Sequence, residues 1–332
     1  MIRFCSFAFV FAFAGIASAQ DMVPEVPESV EKKLGDDPEA EEGWKVSAKI
    51  SATGSYNNTQ NVVGAQDGNT IQIGGQLNAA ANYRRGKSDW ENSLSLNLTT
   101  SRTPAIDAFI KSTDELKLKS TYVYRLTDKI GPFAQVGAVT AILEGQDVRS
   151  GAFTAILDGE TTDITANADG VAQVDLTNPF EPFTLNESAG FFAAPIEEKT
   201  ITARLKLGVG GEHVISQDGF FLADDETTDA VEYNRLVSSN QAGAVFEGSA
   251  TGQVVENVTY EFALKLFYAA VSDLDELDGS DRLSTEVDAK LKVSLSEAAS
   301  LDYVLIVRDI PWISEETQVT NGVLLSIGYN LL

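Results

Sequence analysis

The chain has 332 residues and a formal net charge of −25, with 49 acidic side chains against 24 basic ones. A polypeptide this acidic repels nucleic acid and bare anionic lipid, which excludes general nucleic-acid binding. Its one cysteine, Cys5, lies in an N-terminal apolar run, so past that run there is no thiol for a disulfide, a Cys-based zinc site or a lipid anchor.

Residues 1–19 read as a secretory signal peptide. Arg3 is a minimal charged start, Phe4 to Ile16 is apolar, and Ala17-Ser18-Ala19 gives a small-x-small cleavage pattern before Gln20. The run is too short to span a bilayer as a helix, and no later stretch reaches eighteen apolar residues. Residues 20–43 are acidic and contain Pro24, Pro27 and Pro38, so they are expected to be a disordered periplasmic leader.

The segment from Trp44 to Tyr56 alternates strictly. Trp44, Val46, Ala48, Ile50, Ala52, Gly54 and Tyr56 share one face; Lys45, Ser47, Lys49, Ser51, Thr53 and Ser55 share the other. The two end aromatics stand about 40 Å apart at ~3.3 Å per residue, or about 28 Å along the normal of a strand tilted by ~45°. That is close to the ~25 Å apolar band of an outer-membrane barrel. The pattern recurs at 71–83, 90–99, 115–126, 132–143, 201–209, 241–254, 258–271, 282–295, 301–309 and 318–332. Residues 144–197, rich in Asp, Asn, Thr and Gly, are expected to form a long extracellular loop. Chain ends on the same side require an even number of strands. Gly219-Phe220-Phe221-Leu222-Ala223 is therefore taken as the seventh, with the acidic loop Asp224 to Ser239 after it. The fold expected is all-β: a transmembrane antiparallel up-and-down β-barrel of about 12 strands, with 10 or 14 as alternatives.

If the apolar faces meet lipid, the opposite faces line a lumen. They supply Glu91, Glu115, Lys117, Lys119, Arg125, Arg204, Lys206, Glu261, Lys265, Glu286, Asp288, Lys290 and Lys292. Two arrangements compete: charges that pair and fill the lumen, or a water-filled path whose basic wall favours small anions. Twelve strands lie between filled barrels of ~8 and open porins of ~16, so size alone does not choose.

The chain resembles a family of uncharacterised Gram-negative outer-membrane barrels, filed as of unknown function and loosely similar to salt-induced outer-membrane proteins. The resemblance rests on Lys87-Ser88-Asp89-Trp90-Glu91-Asn92-Ser93-Leu94, Asp114-Glu115-Leu116, Ser188-Ala189-Gly190-Phe191-Phe192 with Ala194-Pro195-Ile196, and Asn321 to Tyr329. It covers the chain from about residue 70 onward. It implies fold and location, and it brings no substrate and no catalytic residues.

Little else points to chemistry. His213 is the lone histidine, and no Ser-bearing elbow is present to complete a Ser-His-acid site. Asp273 to Gly279 invites a calcium-loop reading, but Gly279 arrives one position late and Ser284 stands where the bidentate Glu belongs. Gly208-Val209-Gly210-Gly211 marks close packing or a bend rather than a phosphate cradle, since no helix follows. The function expected is a narrow channel or lumen-binding protein for small solutes, with no enzymatic site and no cofactor. The alternative is a structural or surface-interaction barrel whose acidic loops gather divalent cations. A remote third is a lipid-modifying barrel enzyme using His213. The partners expected are outer-membrane lipid and the barrel-assembly machinery, which would read the C-terminal strand; the chain is expected to be monomeric.

Overall fold

The structure is a computed structural model. It describes residues 42–331 except 60–67, 105, 199, 224–227, 275–278 and 312–316. Residues 1–19, expected to be a signal peptide, and nearly all of 20–43, expected to be an acidic leader, lie outside the described residues.

Twelve antiparallel strands close into a barrel, each paired with the next wall strand along the chain. They are β1 (Gly43–Thr59), β2 (Gly68–Arg85), β3 (Ser88–Thr103), β4 (Ile106–Tyr124), β5 (Ile130–Thr140), β10 (Phe183–Glu198), β11 (Ile201–Ile215), β14 (Ser239–Val255), β15 (Val258–Ser272), β16 (Leu283–Ser294), β17 (Ala299–Asp309) and β18 (Gln318–Asn330). β18 returns to pair with β1, Ile50 opposite Tyr329, so the wall has no free edge. The connections at one end are tight: 86–87, 125–129, 199–200, 256–257 and 295–298. Gly86 takes φ +56 in the first of them, a conformation glycine adopts without a Cβ clash. The long connections gather at the other end, and β1 begins and β18 finishes at the turn end.

Twelve strands were expected, but one was misplaced. The wall strand missing from the sequence reading is β10, inside the stretch taken for a loop; that loop runs only from 141 to 182. Alternation is blurred in β10 because its inner face is also apolar near the turn end. Phe192 (6 % exposed) and Ala194 point inward while Phe191 (65 % exposed) points outward, and Pro195 sits at a register shift. Phe220 and Phe221 belong instead to a short strand, β12 (Phe220–Leu222), outside the barrel.

The long connections are folded as well. β6 (Gly145–Ser150) pairs with β9 (Val171–Thr177). β12, β13 (Val231–Arg235), β7 (Phe153–Leu157) and β8 (Glu160–Ile164) form a four-stranded sheet. Their core is Ala155, Val174, Val231 and Tyr233, with Phe153, Leu157, Ile164, Leu176 and Phe220 against it. Tyr233 Oη donates to Asp147 at 2.6 Å, and Arg149 pairs with the same carboxylate at 2.9 Å. Glu181 accepts from Ser216 Oγ and from the backbone N–H groups of Gln217, Asp218 and Gly219, tying 141–182 to 216–238.

The barrel is inside out relative to a water-soluble protein. Val46, Ile50, Leu205, Leu207, Val209, Phe262, Val323, Leu325 and Ile327 lie exposed on the outer wall, while Ser51, Thr53, Gln72, Gln76, Asn97, Thr99, Lys290 and Asp302 are buried inside it. Outward aromatics ring the turn end at Trp44, Tyr83, Trp90, Tyr122, Tyr124 and Tyr329. Trp44 stacks 5.1 Å from Tyr83 and 5.8 Å from Trp90. Tyr56, Phe109 and Tyr268 stand exposed at the loop end. Exposed apolar surface on this scale is stable only against another apolar phase, and closure lets hydrocarbon surround the wall with every strand paired.

Candidate functional site: the barrel lumen

Strand register writes a charge pattern onto the inner wall. Lys206 on β11 stands opposite Glu247 on β14, Glu247 opposite Lys265 on β15, Lys265 opposite Glu286 on β16, and Glu286 opposite Arg308 on β17. Five strands thus carry one row of alternating sign, in which each cross-strand neighbour is an opposite charge. Side chains pair along the row at three of its four steps: Lys206 to Glu247 at 3.3 Å, Lys265 to Glu286 at 2.9 Å and Arg308 to Glu286 at 3.2 Å. Branches run to Glu212 from Lys265 (3.5 Å) and to Asp288 from Arg308 (2.9 Å).

Other pairs cross the lumen. Arg204 on β11 donates to Glu91 on β3 at 3.2 Å, although β4, β5 and β10 lie between them in the wall. Gln135 on β5 donates to Glu247 at 2.8 Å and accepts from Lys206 at 2.6 Å. Lys119 on β4 reaches Glu247 at 3.9 Å. Lys117 pairs with Glu115 at 2.8 Å, and Lys290 with Asp302 at 3.2 Å, where Ser326 also donates. Lys292 shares the inner face of β16 with Lys290, at its turn end.

The turn end of the lumen also holds an apolar cluster: Val123, Phe133, Phe192 and Ala194. Two cations lie over its rings, Arg125 over Phe192 at 5.6 Å and Lys206 over Phe133 at 5.7 Å. Arg125 is held in turn by Asp89 and, at 3.5 Å, by Glu197. Gly190 and Gly208 face each other across β10 and β11, and a Cβ on either would run into the other strand's backbone. The glycine run does mark close packing.

The lumen-facing residues read from the sequence lie on the inner face, and the structure joins most of them into this network. Lys117, Lys119, Arg204, Lys206, Lys265 and Lys290 each have a carboxylate within reach. Sequence reasoning missed the acidic centre, Glu247, and with it Gln135, Glu212, Asp302 and Arg308. A lone charge in the otherwise uncharged run Ala244 to Ala250 was the available signal. His213 is not in the lumen; it faces outward at the loop end of β11. Among the described residues no group of three or more His, Cys, Asp or Glu is arranged to hold a metal, and no helix is long and apolar enough to cross a membrane. Residues 224–227 and 275–278, where the acidic-loop reading was centred, lie outside the described residues.

Geometry and surface together define a class: a transmembrane up-and-down β-barrel whose polar lumen is crossed by its own ion pairs. Residues 41–145 match a family described as a protein of unknown function (DUF3078), which covers the first four wall strands and β5. No curated protein matches the sequence. Among solved structures the chain is similar to the translocator domain of the autotransporter NalP from Neisseria meningitidis (11% identity, 88% of this chain and 90% of that one, TM-score 0.39). It is also similar to an outer-membrane channel from Pseudomonas putida F1 (11% identity, 89% and 98%, TM-score 0.40) and to the porin NanC (9% identity, 84% and 97%, TM-score 0.35).

Proposed function

We propose that this protein is an outer-membrane barrel forming a narrow passage for small solutes, held shut at rest by the pairs that cross its lumen. The observation that carries the reading is the set of transverse ties, Arg204 to Glu91 and Gln135 and Lys119 to Glu247. They divide the cross-section, whereas an open pore keeps its charged rings on the wall. Since most of the lumen bases have an acid within reach, the resting lumen is expected to have little preference for ion sign. Planar-bilayer recording tests it. The wild type is expected to show rare, small steps, and Glu91→Ala with Glu247→Ala to raise the open time and conductance. Silence of both would remove the channel reading.

A second reading has its own support. The loop module has a packed core, and Arg149 and Arg235 are the only bases in 141–182 and 216–238. Such a surface suits contact with cations held among lipopolysaccharide phosphates. We assign no catalysis: His213 contacts an amide and a carboxylate rather than a serine. The alternating C-terminal strand β18 suits capture by the assembly machinery, and a closed wall suits a monomer.

A further inference from the structure

His213 is the only histidine in the chain. It stands on the outward face of β11 beyond Leu205, Leu207 and Val209, near the loop end of the strand, with exposed Ile215 the next residue on that face. Its Nε2 lies 2.7 Å from Glu187 Oε1 on β10, and its Nδ1 lies 2.8 Å from Asn240 Oδ1 on β14. The Asn240 amide has one permissible orientation. Its Nδ2 donates to Asp273 Oδ2 at 2.7 Å, and a carboxylate only accepts, so the oxygen must face the ring. Both ring nitrogens therefore meet acceptors. A neutral imidazole has one N–H and satisfies one of them; the imidazolium satisfies both. Two acceptors held against the two ring nitrogens favour the charged form of the ring.

The charged groups facing the ring are Glu187 from β10 and Asp273 just past β15. β14 contributes the neutral Asn240, which also donates its backbone N–H to Asp273 at 2.6 Å. On β11 itself Glu212 turns into the lumen toward Lys265. Gly211 keeps the space open: a Cβ there would stand 2.6 Å from Glu187 Oε1 and 3.2 Å from His213 Nε2. β10 receives the chain from 141–182, β11 sends it into 216–238, β14 takes it back, and Asp273 opens 273–282. The line Glu187–His213–Asn240–Asp273 thus crosses the bases of three loops, including both that build the folded module.

We propose that this line is a proton-dependent clamp fixing the base of the loop module to the barrel rim, closed while His213 is protonated and released when it is not. Loss of the proton turns one N···O contact into acceptor against acceptor and removes the cation between Glu187 and Asp273. Because the folded ring binds its proton more tightly than a free imidazole, the clamp is fully closed below about pH 6.5 and opens as pH rises through the higher folded value.

One histidine makes the test unambiguous in untagged, 15N-labelled protein held in lipid nanodiscs. Imidazole NMR is expected to show two protonated ring nitrogens at about pH 6.5 and a titration midpoint above that of free imidazole. Glu187→Gln is expected to lower the titration midpoint by about one unit, a tenfold loss of proton affinity. Hydrogen exchange at 216–223 and 228–238, corrected for its intrinsic pH dependence, is expected to rise several-fold through the same midpoint in the wild type and to stay flat in His213→Gln. A midpoint at or below that of free imidazole overturns the proposal, as does a titrating ring with pH-independent loop exchange. If either variant fails to fold, the wild-type titration and its exchange profile decide alone.

Discussion

Glu247→Gln is the sharpest probe of the lumen network. Its carboxylate meets Lys206 at 3.3 Å, Lys119 at 3.9 Å and Gln135 at 2.8 Å, and all three partners reach it from inside the barrel. Two unit charges 4 Å apart at an effective dielectric of about 20 attract by about 4 kcal/mol. The side chains involved keep 16–22% of their surface, and a neutral Gln also escapes the desolvation that the carboxylate bears, so the net loss is about 2–3 kcal/mol. Equilibrium urea unfolding of the detergent-refolded barrel, followed by gel mobility, measures it. Adding Lys206→Gln closes a double-mutant cycle and should return a coupling of at least about 1 kcal/mol. A Glu247→Gln barrel that unfolds within about 0.5 kcal/mol of the wild type would refute the view that these charges brace the lumen.

Leu207→Lys places a charge on the outer wall within the apolar band and should cost about 2–4 kcal/mol in a bilayer, read from folding equilibria in lipid vesicles. Tyr233→Ala empties the core of the loop module and should cost it about 3–5 kcal/mol, seen as rapid proteolysis of 141–182 with the barrel intact. Glu181 supplies a pH test. Burial works to raise its pKa, but the hydrogen bonds from Ser216 and then from Gln217, Asp218 and Asn178 outweigh it and hold the carboxyl at about 2. Its support is present above the ordinary carboxylate value near 4.5 and fades as pH falls toward about 2. Protease resistance of 216–223 should fall over that window in the wild type and be low throughout in Glu181→Gln.

Most of the wall was legible because a lipid-facing strand that lines a polar lumen must alternate, and β1, β2, β3 and β16 do so over most of their length. β10 was not, for a local reason. Where Phe192 and Ala194 join Phe133 inside the barrel, both faces of the strand are apolar and the two-residue period vanishes. Phe220 misled in the opposite sense, being apolar because it packs on the module's core rather than on lipid. Parity demanded an even number of strands and so returned twelve, but it could not say which segment was the twelfth. The lumen charges were legible as a set from their face. Their partners were not, because Arg204 and Glu91 are distant in sequence and separated by three strands, a relation only barrel closure creates. The same holds for His213, whose meaning depends on neighbours from β10, β14 and the end of β15.

The most direct measurement is whether the chain folds without a hydrocarbon phase. Refolding from urea into lipid vesicles should give a heat-modifiable, protease-resistant barrel. The same dilution into plain buffer should give only aggregate or open chain, since Val46, Leu207, Phe191 and Ile327 would face water. A monomer that is folded and stable in buffer alone would contradict the account at its root.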